Sequence, residues 1–157
     1  MFTIPVGNFK QIATGYRPTT GSGSVTGDGA VVNVAYAYDS DPNTYCSATN
    51  ATGTTSTVYS GFTGSVVSSG GSISVTLEGG GVGFPVNVSV SFDNGATYAF
   101  PLTIATQIVG PTTLAYKQTC SLKIPNGLVL SSIKVKGETA SDPSGVYLYI
   151  YDIVINQ

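Results

Sequence analysis

Histidine is absent from this chain, and so is tryptophan. Without histidine, neither a Ser-His-Asp nor a Cys-His arrangement can be built within the chain, and the common catalytic zinc sets are excluded. Charge is scarce: 9% of residues carry one, where about a quarter is usual. The six basic residues (Lys10, Arg17, Lys117, Lys123, Lys134 and Lys136) form no cluster, which argues against nucleic acid as a partner. No apolar run is long enough to form a membrane-spanning helix, so membrane insertion is not expected. Helical periodicity is missing too, since no window places apolar residues at i, i+3, i+4 and i+7 between caps. Nor does a glycine-rich segment stand between a strand and a helix, and nucleotide binding has no support. Two cysteines, Cys46 and Cys120, are too few for a thiolate metal site. Buried thiols acting as small hydrophobes are the simpler reading for them. A disulfide would require α-carbons within about 7 Å of each other.

What is present reads as strands and turns. At 157 residues with 41% hydrophobic, the chain is long enough for one domain with a real core, so low charge does not mean disorder. Val86, Val88, Val90 and Phe92 alternate with polar residues, and Asp93-Asn94-Gly95 then signals a hairpin. The return strand sets Tyr98, Phe100, Leu102 and Ile104 on one face. Ile73, Val75 and Leu77 alternate in an earlier strand, and Val32, Val34, Tyr36 and Tyr38 in another. Further strands follow at 120–124 and 133–136. Val146 to Ile155 is apolar on both faces, as a central or doubly covered strand would be. Gly79-Gly80-Gly81 reads as a loop. The pattern predicts an all-β fold, an antiparallel β-sandwich of about eight strands. Residues 19–29 are rich in Gly, Ser and Thr and read as a flexible join. The expected organisation is an N-terminal arm over 1–24 and a sandwich domain over 25–157.

One segment concentrates oxygen donors. Asp39-Ser40-Asp41-Pro42-Asn43-Thr44 places two carboxylates, an amide and hydroxyls within six residues, a density that suits calcium. The same residues can instead cap a proline-containing turn. With its flanks, Ala37 to Ser47 resembles the early loop of galactose-binding-domain-like jelly rolls, which include discoidin (coagulation factor five/eight type C) domains and related carbohydrate-binding modules. Val86 to Tyr98, Ile124-Pro125-Asn126-Gly127 with Ile133-Lys134-Val135, and Tyr149 to Ile155 resemble later parts of that plan in the same order. Ser40 stands where the pattern has Gly, Cys46 where it has Trp, and Asp152 where it has Glu. The resemblance implies a jelly-roll sandwich and a structural calcium held by Asp39, Asp41, Thr44 and Asp152. It also implies glycan recognition by loops, for which Tyr59, Phe62, Phe84 and Tyr116, in or near predicted loops, are the candidate ligand-binding aromatics. Core packing explains those aromatics equally well.

Two non-enzymatic functions are expected from these features. The first is a structural or decoration-type protein of a virus particle, on a bacteriophage head or tail, whose partners are other particle proteins or copies of itself. The neutral surface, the arm and an N-terminus without a basic start or apolar block speak for it. The expected location is then the virion, reached from the host cytoplasm without a signal peptide. The alternative is an extracellular carbohydrate-binding module, against which the missing tryptophan counts. Tyr147, Tyr149 and Tyr151 share one face of the last strand. That face is either a contact surface for other molecules or is covered by the domain's own second layer.

Overall fold

A computed structural model describes residues 16–25, 29–50, 55–67, 70–82, 87–109, 112–138 and 146–156. These form eleven strands: β1 (Thr20–Val25), β2 (Gly29–Val32), β3 (Cys46–Asn50), β4 (Thr55–Val67), β5 (Ser72–Val82), β6 (Asn87–Ser91), β7 (Phe100–Leu102), β8 (Gln107–Val109), β9 (Thr112–Lys123), β10 (Val129–Glu138) and β11 (Val146–Asn156). They pair antiparallel in two sheets, β1-β4-β10-β6-β7 and β2-β3-β11-β5-β9-β8. The antiparallel sandwich expected from the sequence is observed. The strands beyond the anticipated eight include short edge pieces such as β2, β7 and β8, too brief for a period of two to reveal. Among the described residues no helix is long and apolar enough to cross a membrane.

The core follows from alternation. Ile73, Val75 and Leu77 on β5 and Leu148, Ile150, Ile153 and Ile155 on β11 face inward from one sheet. Val88 and Val90 on β6 and Ile133 and Val135 on β10 meet them from the other. Each fully buried Leu or Ile contributes about 1.5–3 kcal/mol relative to exposure. Cys46 is buried on β3 and Cys120 on β9, and both are free. Three strand spacings, about 14 Å, separate β3 from β9, beyond disulfide reach. Burial raises both thiols, Cys46 to about 12.

Several expectations are corrected by the fold. Val32 to Tyr38 is not one strand. Asn33 adopts a left-handed conformation (φ 56°) that ends β2 and starts a 3-10 turn over Val34–Ala37. The turn breaks the alternation, and Tyr36, expected in the core, is 41% exposed. Gly79, Gly80 and Gly81 lie within β5, opposite Leu148, Tyr147 and Val146, rather than in a loop. A Cβ on Gly80 would come within 2.5 Å of the Tyr147 ring, so the missing side chain lets the ring lie across the strand. Residues 20–25, expected as part of a flexible join, form edge strand β1, paired with β4. There Gly21 fits against Val34 and Tyr38, which a Cβ would strike. Of the expected arm, residues 1–15 lie outside the described residues. Tyr16 pairs with Ile155 at the end of β11.

The hairpin after β6 forms where its sequence predicts, with Asn94 and Gly95 both at positive φ. Pairing begins only at Val90 and Phe100, so the connection is longer than two residues. Asp93 organises it. Its carboxylate accepts the Ser91 hydroxyl at 2.7 Å, the Thr97 N–H at 2.9 Å and the Thr97 hydroxyl at 2.7 Å. Those donors hold its pKa at about 2, below the ordinary 3.8, led by the Thr97 N–H. Because the folded pKa is depressed, the stabilisation is present above pH 3.8 and is lost as pH falls toward about 2. Asp93→Asn is expected to lower the melting temperature at neutral pH and to flatten the acid limb over that interval. Thermal melts across the pH series check it, and an acid limb as steep as that of the parent would contradict the assignment.

Candidate functional site

The two sheets present different outer faces. On the five-stranded sheet, Lys136 bridges to Glu138 at 3.1 Å and sits over Tyr98. On the six-stranded sheet the outer face of β11 is aromatic. Leu148 and Ile150 point inward, so Tyr147 and Tyr149 point outward. A register shift between Ile150 and Asp152 inserts one residue against β5. It returns Ile153 and Ile155 to the core and leaves Tyr151 and Asp152 together on the outer face.

The tyrosines form one continuous surface. Tyr45, just before β3, lies 4.7 Å from Tyr149 and 5.3 Å from Tyr151, ring centre to ring centre. Tyr147 lies 4.9 Å from Tyr149. Lys117, at a register irregularity of β9 opposite Glu78, places its ammonium 3.8 Å above the Tyr151 ring and donates to the Pro42 carbonyl. That lysine ties the acidic loop to the sheet and supplies a cation–π contact. Tyr151 donates its hydroxyl to Glu78 at 3.0 Å. Burial, and then the Glu78 carboxylate, push its pKa up to about 12, so it stays a neutral donor. Beside the aromatics run paired hydroxyls between β5 and β9: Thr76 with Thr119 at 2.8 Å and Ser74 with Ser121 at 3.2 Å.

Next to Tyr45 the face opens into a cleft of about 430 Å³, lined by Asn33, Tyr36, Asn43, Thr44, Tyr45 and Ser47. The acidic loop contributes Asn43 and Thr44 to that lining. Asp39 accepts the Asp41 N–H at 2.9 Å and the Thr44 hydroxyl at 2.8 Å, and Asp41 accepts the Asn43 N–H at 2.9 Å. These are consecutive Asx turns, the capped-turn geometry that the residue types allow. Ser40 sits at φ 73°, a left-handed position that costs a residue with a Cβ about 1–2 kcal/mol.

Asp39, Asp41 and Thr44 of the expected calcium set are thus brought together. Asp152 is engaged elsewhere: Arg17 binds both of its oxygens, at 3.2 and 3.0 Å. Among the described residues no three His, Cys, Asp or Glu side chains form a group that could hold a metal. Arg17 supplies a cation to Asp152. Of the expected ligand-binding aromatics, Tyr59 and Phe62 lie within β4 and Tyr116 within β9, not in loops; Tyr116 is 47% exposed. Phe84 lies outside the described residues. Sequence reasoning singled out Tyr147, Tyr149 and Tyr151 as one face but missed Tyr36, Tyr45, Arg17 and Lys117. Tyr45 adjoins Cys46, whose place in the strand pairs it with Ile150, and that pairing brings Tyr45 beside the tyrosines of β11.

Compared with known proteins, the chain matches no family model and no curated protein. Among solved structures it is similar to CBM32-1 from a family 31 glycoside hydrolase of Clostridium perfringens. The identity is 11%, over 90% of this chain and 96% of that one, with a TM-score of 0.49.

Two outcomes follow from the loop and the ion pair. Arg17→Ala is expected to cost up to about 1 kcal/mol, since the pair is partly exposed. Added calcium should not restore the loss; restoration, or a melting temperature that falls in chelator, would place a cation at this loop. Ser40→Gly is expected to raise stability by about 1 kcal/mol in denaturant titration by removing the left-handed strain, and a loss would mean that the serine is held by contacts outweighing it.

Proposed function

We propose that this chain is a non-catalytic carbohydrate-binding module whose ligand lies on the tyrosine face of the six-stranded sheet. The observation that carries the reading is the continuous surface of Tyr45, Tyr147 and Tyr149, backed by the buried ring of Tyr151 and opening into the Tyr36–Tyr45 cleft. A sugar presents C–H bonds on its flat faces and hydroxyls at its edges. Aromatic rings cover the first, and amides and hydroxyls bond the second. Asn33, Asn43, Thr44 and Ser47 supply those polar groups around the cleft. Tyrosine here takes the place of the missing tryptophan as a stacking side chain. Tyr45 is 39% exposed and Tyr36 41%, so both rings can be reached from solvent. The particle-surface role suggested by composition has no comparable observation among the described residues, and the binding-module reading is preferred for that reason.

With no tryptophan in the chain, tyrosine emission is unmasked, and five of the ten tyrosines (Tyr36, Tyr45, Tyr147, Tyr149 and Tyr151) lie on or beside this face. Native gels cast with soluble xylan, β-glucan, mannan or galactan are expected to retard the protein with at least one polymer. Tyr45→Ala should weaken that retardation about tenfold or more while the variant, checked by its cooperative melt, stays folded, as expected for a ring at the centre of a contact. Retardation by none of a broad panel of glycans would overturn the reading.

A further inference from the structure

Resting on the carbohydrate-binding reading, we infer that the face takes an extended, uncharged glycan chain. The chain runs across the strands from the Tyr36–Tyr45 cleft, over the tyrosines of β11, to the hydroxyl pairs of β5 and β9. Three observations converge on this ligand class.

The first is length. Groups suited to sugars occur on successive neighbours β2, β3, β11, β5 and β9. Four strand spacings at about 4.8 Å make a path of roughly 19 Å, room for several sugar rings rather than one. The second is charge. Arg17 is paired with Asp152, Glu78 accepts the Tyr151 hydroxyl, and Lys117 rests on the Tyr151 ring and the Pro42 carbonyl. With Lys123 beyond Ser121 on β9 and with Asp39 and Asp41 in the loop beside the cleft, the face and its edge carry three cations against four carboxylates. An acidic chain would meet no net positive charge there to offset the loss of its hydration. The third is the far end of the path. In each hydroxyl pair one partner donates to the other, which leaves one donor and free lone pairs; Ser74 also accepts from the Asn156 amide at 2.8 Å, so the Thr76–Thr119 rung is the more open of the two. Adjacent hydroxyls on a sugar ring match such a pair. Thr119 and Ser121 are exposed, so the rungs are accessible.

The test uses the whole chain and oligosaccharides of increasing length from the cello-, manno- and malto- series, with oligogalacturonates as the charged comparison. Binding is followed by calorimetry and tyrosine emission. For the series that binds, affinity is expected to climb with each added sugar and then level off. Tyr149→Ala should reduce affinity for the longest oligomer about tenfold. The double variant Thr76→Val, Thr119→Val keeps the β-branched shape of the strands and should weaken long oligomers severalfold while leaving the shortest unchanged. Melting curves establish that each variant is folded. Equal affinity for a single sugar and for the longest oligomer would overturn the extended-chain inference and leave the carbohydrate-binding reading intact. So would an unaltered profile in the threonine variant. Tighter binding of oligogalacturonates would overturn the assignment of an uncharged ligand. Binding of no oligosaccharide, with self-association in light scattering that Tyr149→Ala abolishes, would overturn both and make the face a contact between copies of the chain.

Discussion

The pairing of β11 between β3 and β5 is the constraint on which the rest depends. Its inward residues, Leu148, Ile150, Ile153 and Ile155, fill the centre of the core, so the strand cannot shift by one position without exchanging core for surface. That locked register fixes what the other side of the strand displays. The tyrosines are outside because the aliphatic residues are inside. The insertion at Ile150–Asp152 keeps both assignments valid along the whole strand by changing phase where the aromatic run ends. Beyond the end of β3, Tyr16 continues the pairing at Ile155, and Arg17 reaches Asp152 from there.

Much of the fold was legible because alternation is a local signal. Val88, Val90, Ile133, Val135, Leu148 and Ile150 are buried where period-two patterning places them. The failures share a physical cause, namely backbone or packing events that composition does not encode. A left-handed Asn33 turned an apparently continuous strand into a 3-10 turn and exposed Tyr36. Glycines at 79–81 looked like a loop because their strand character is supplied by a partner, the ring of Tyr147, sixty-odd positions away. The glycine and serine of β1 looked like a linker for the same reason, since Gly21 is there to let Val34 and Tyr38 approach.

The candidate site was legible only in part. Three of its tyrosines announce themselves by spacing on one strand. The fourth, Tyr45, enters through pairing between residues about a hundred positions apart, and Lys117 through a register irregularity, neither of which a single sequence displays. The acidic loop was the reverse case. Its residues were conspicuous, yet their oxygens largely satisfy the loop's own N–H and hydroxyl groups. Their structural effect is to hold Tyr45 and Asn43 at the edge of the cleft, an indirect contribution that a search for metal ligands does not look for.

The recess at Gly80 has a consequence for how this surface could diverge. The Tyr147 ring settles into the space a side chain would occupy, so the height and tilt of that end of the aromatic surface are set from beneath. A methyl group there would lift the ring away from the strand and tip it relative to Tyr149. The shape of the surface could therefore be retuned by a residue that a ligand never touches, with every aromatic left in place.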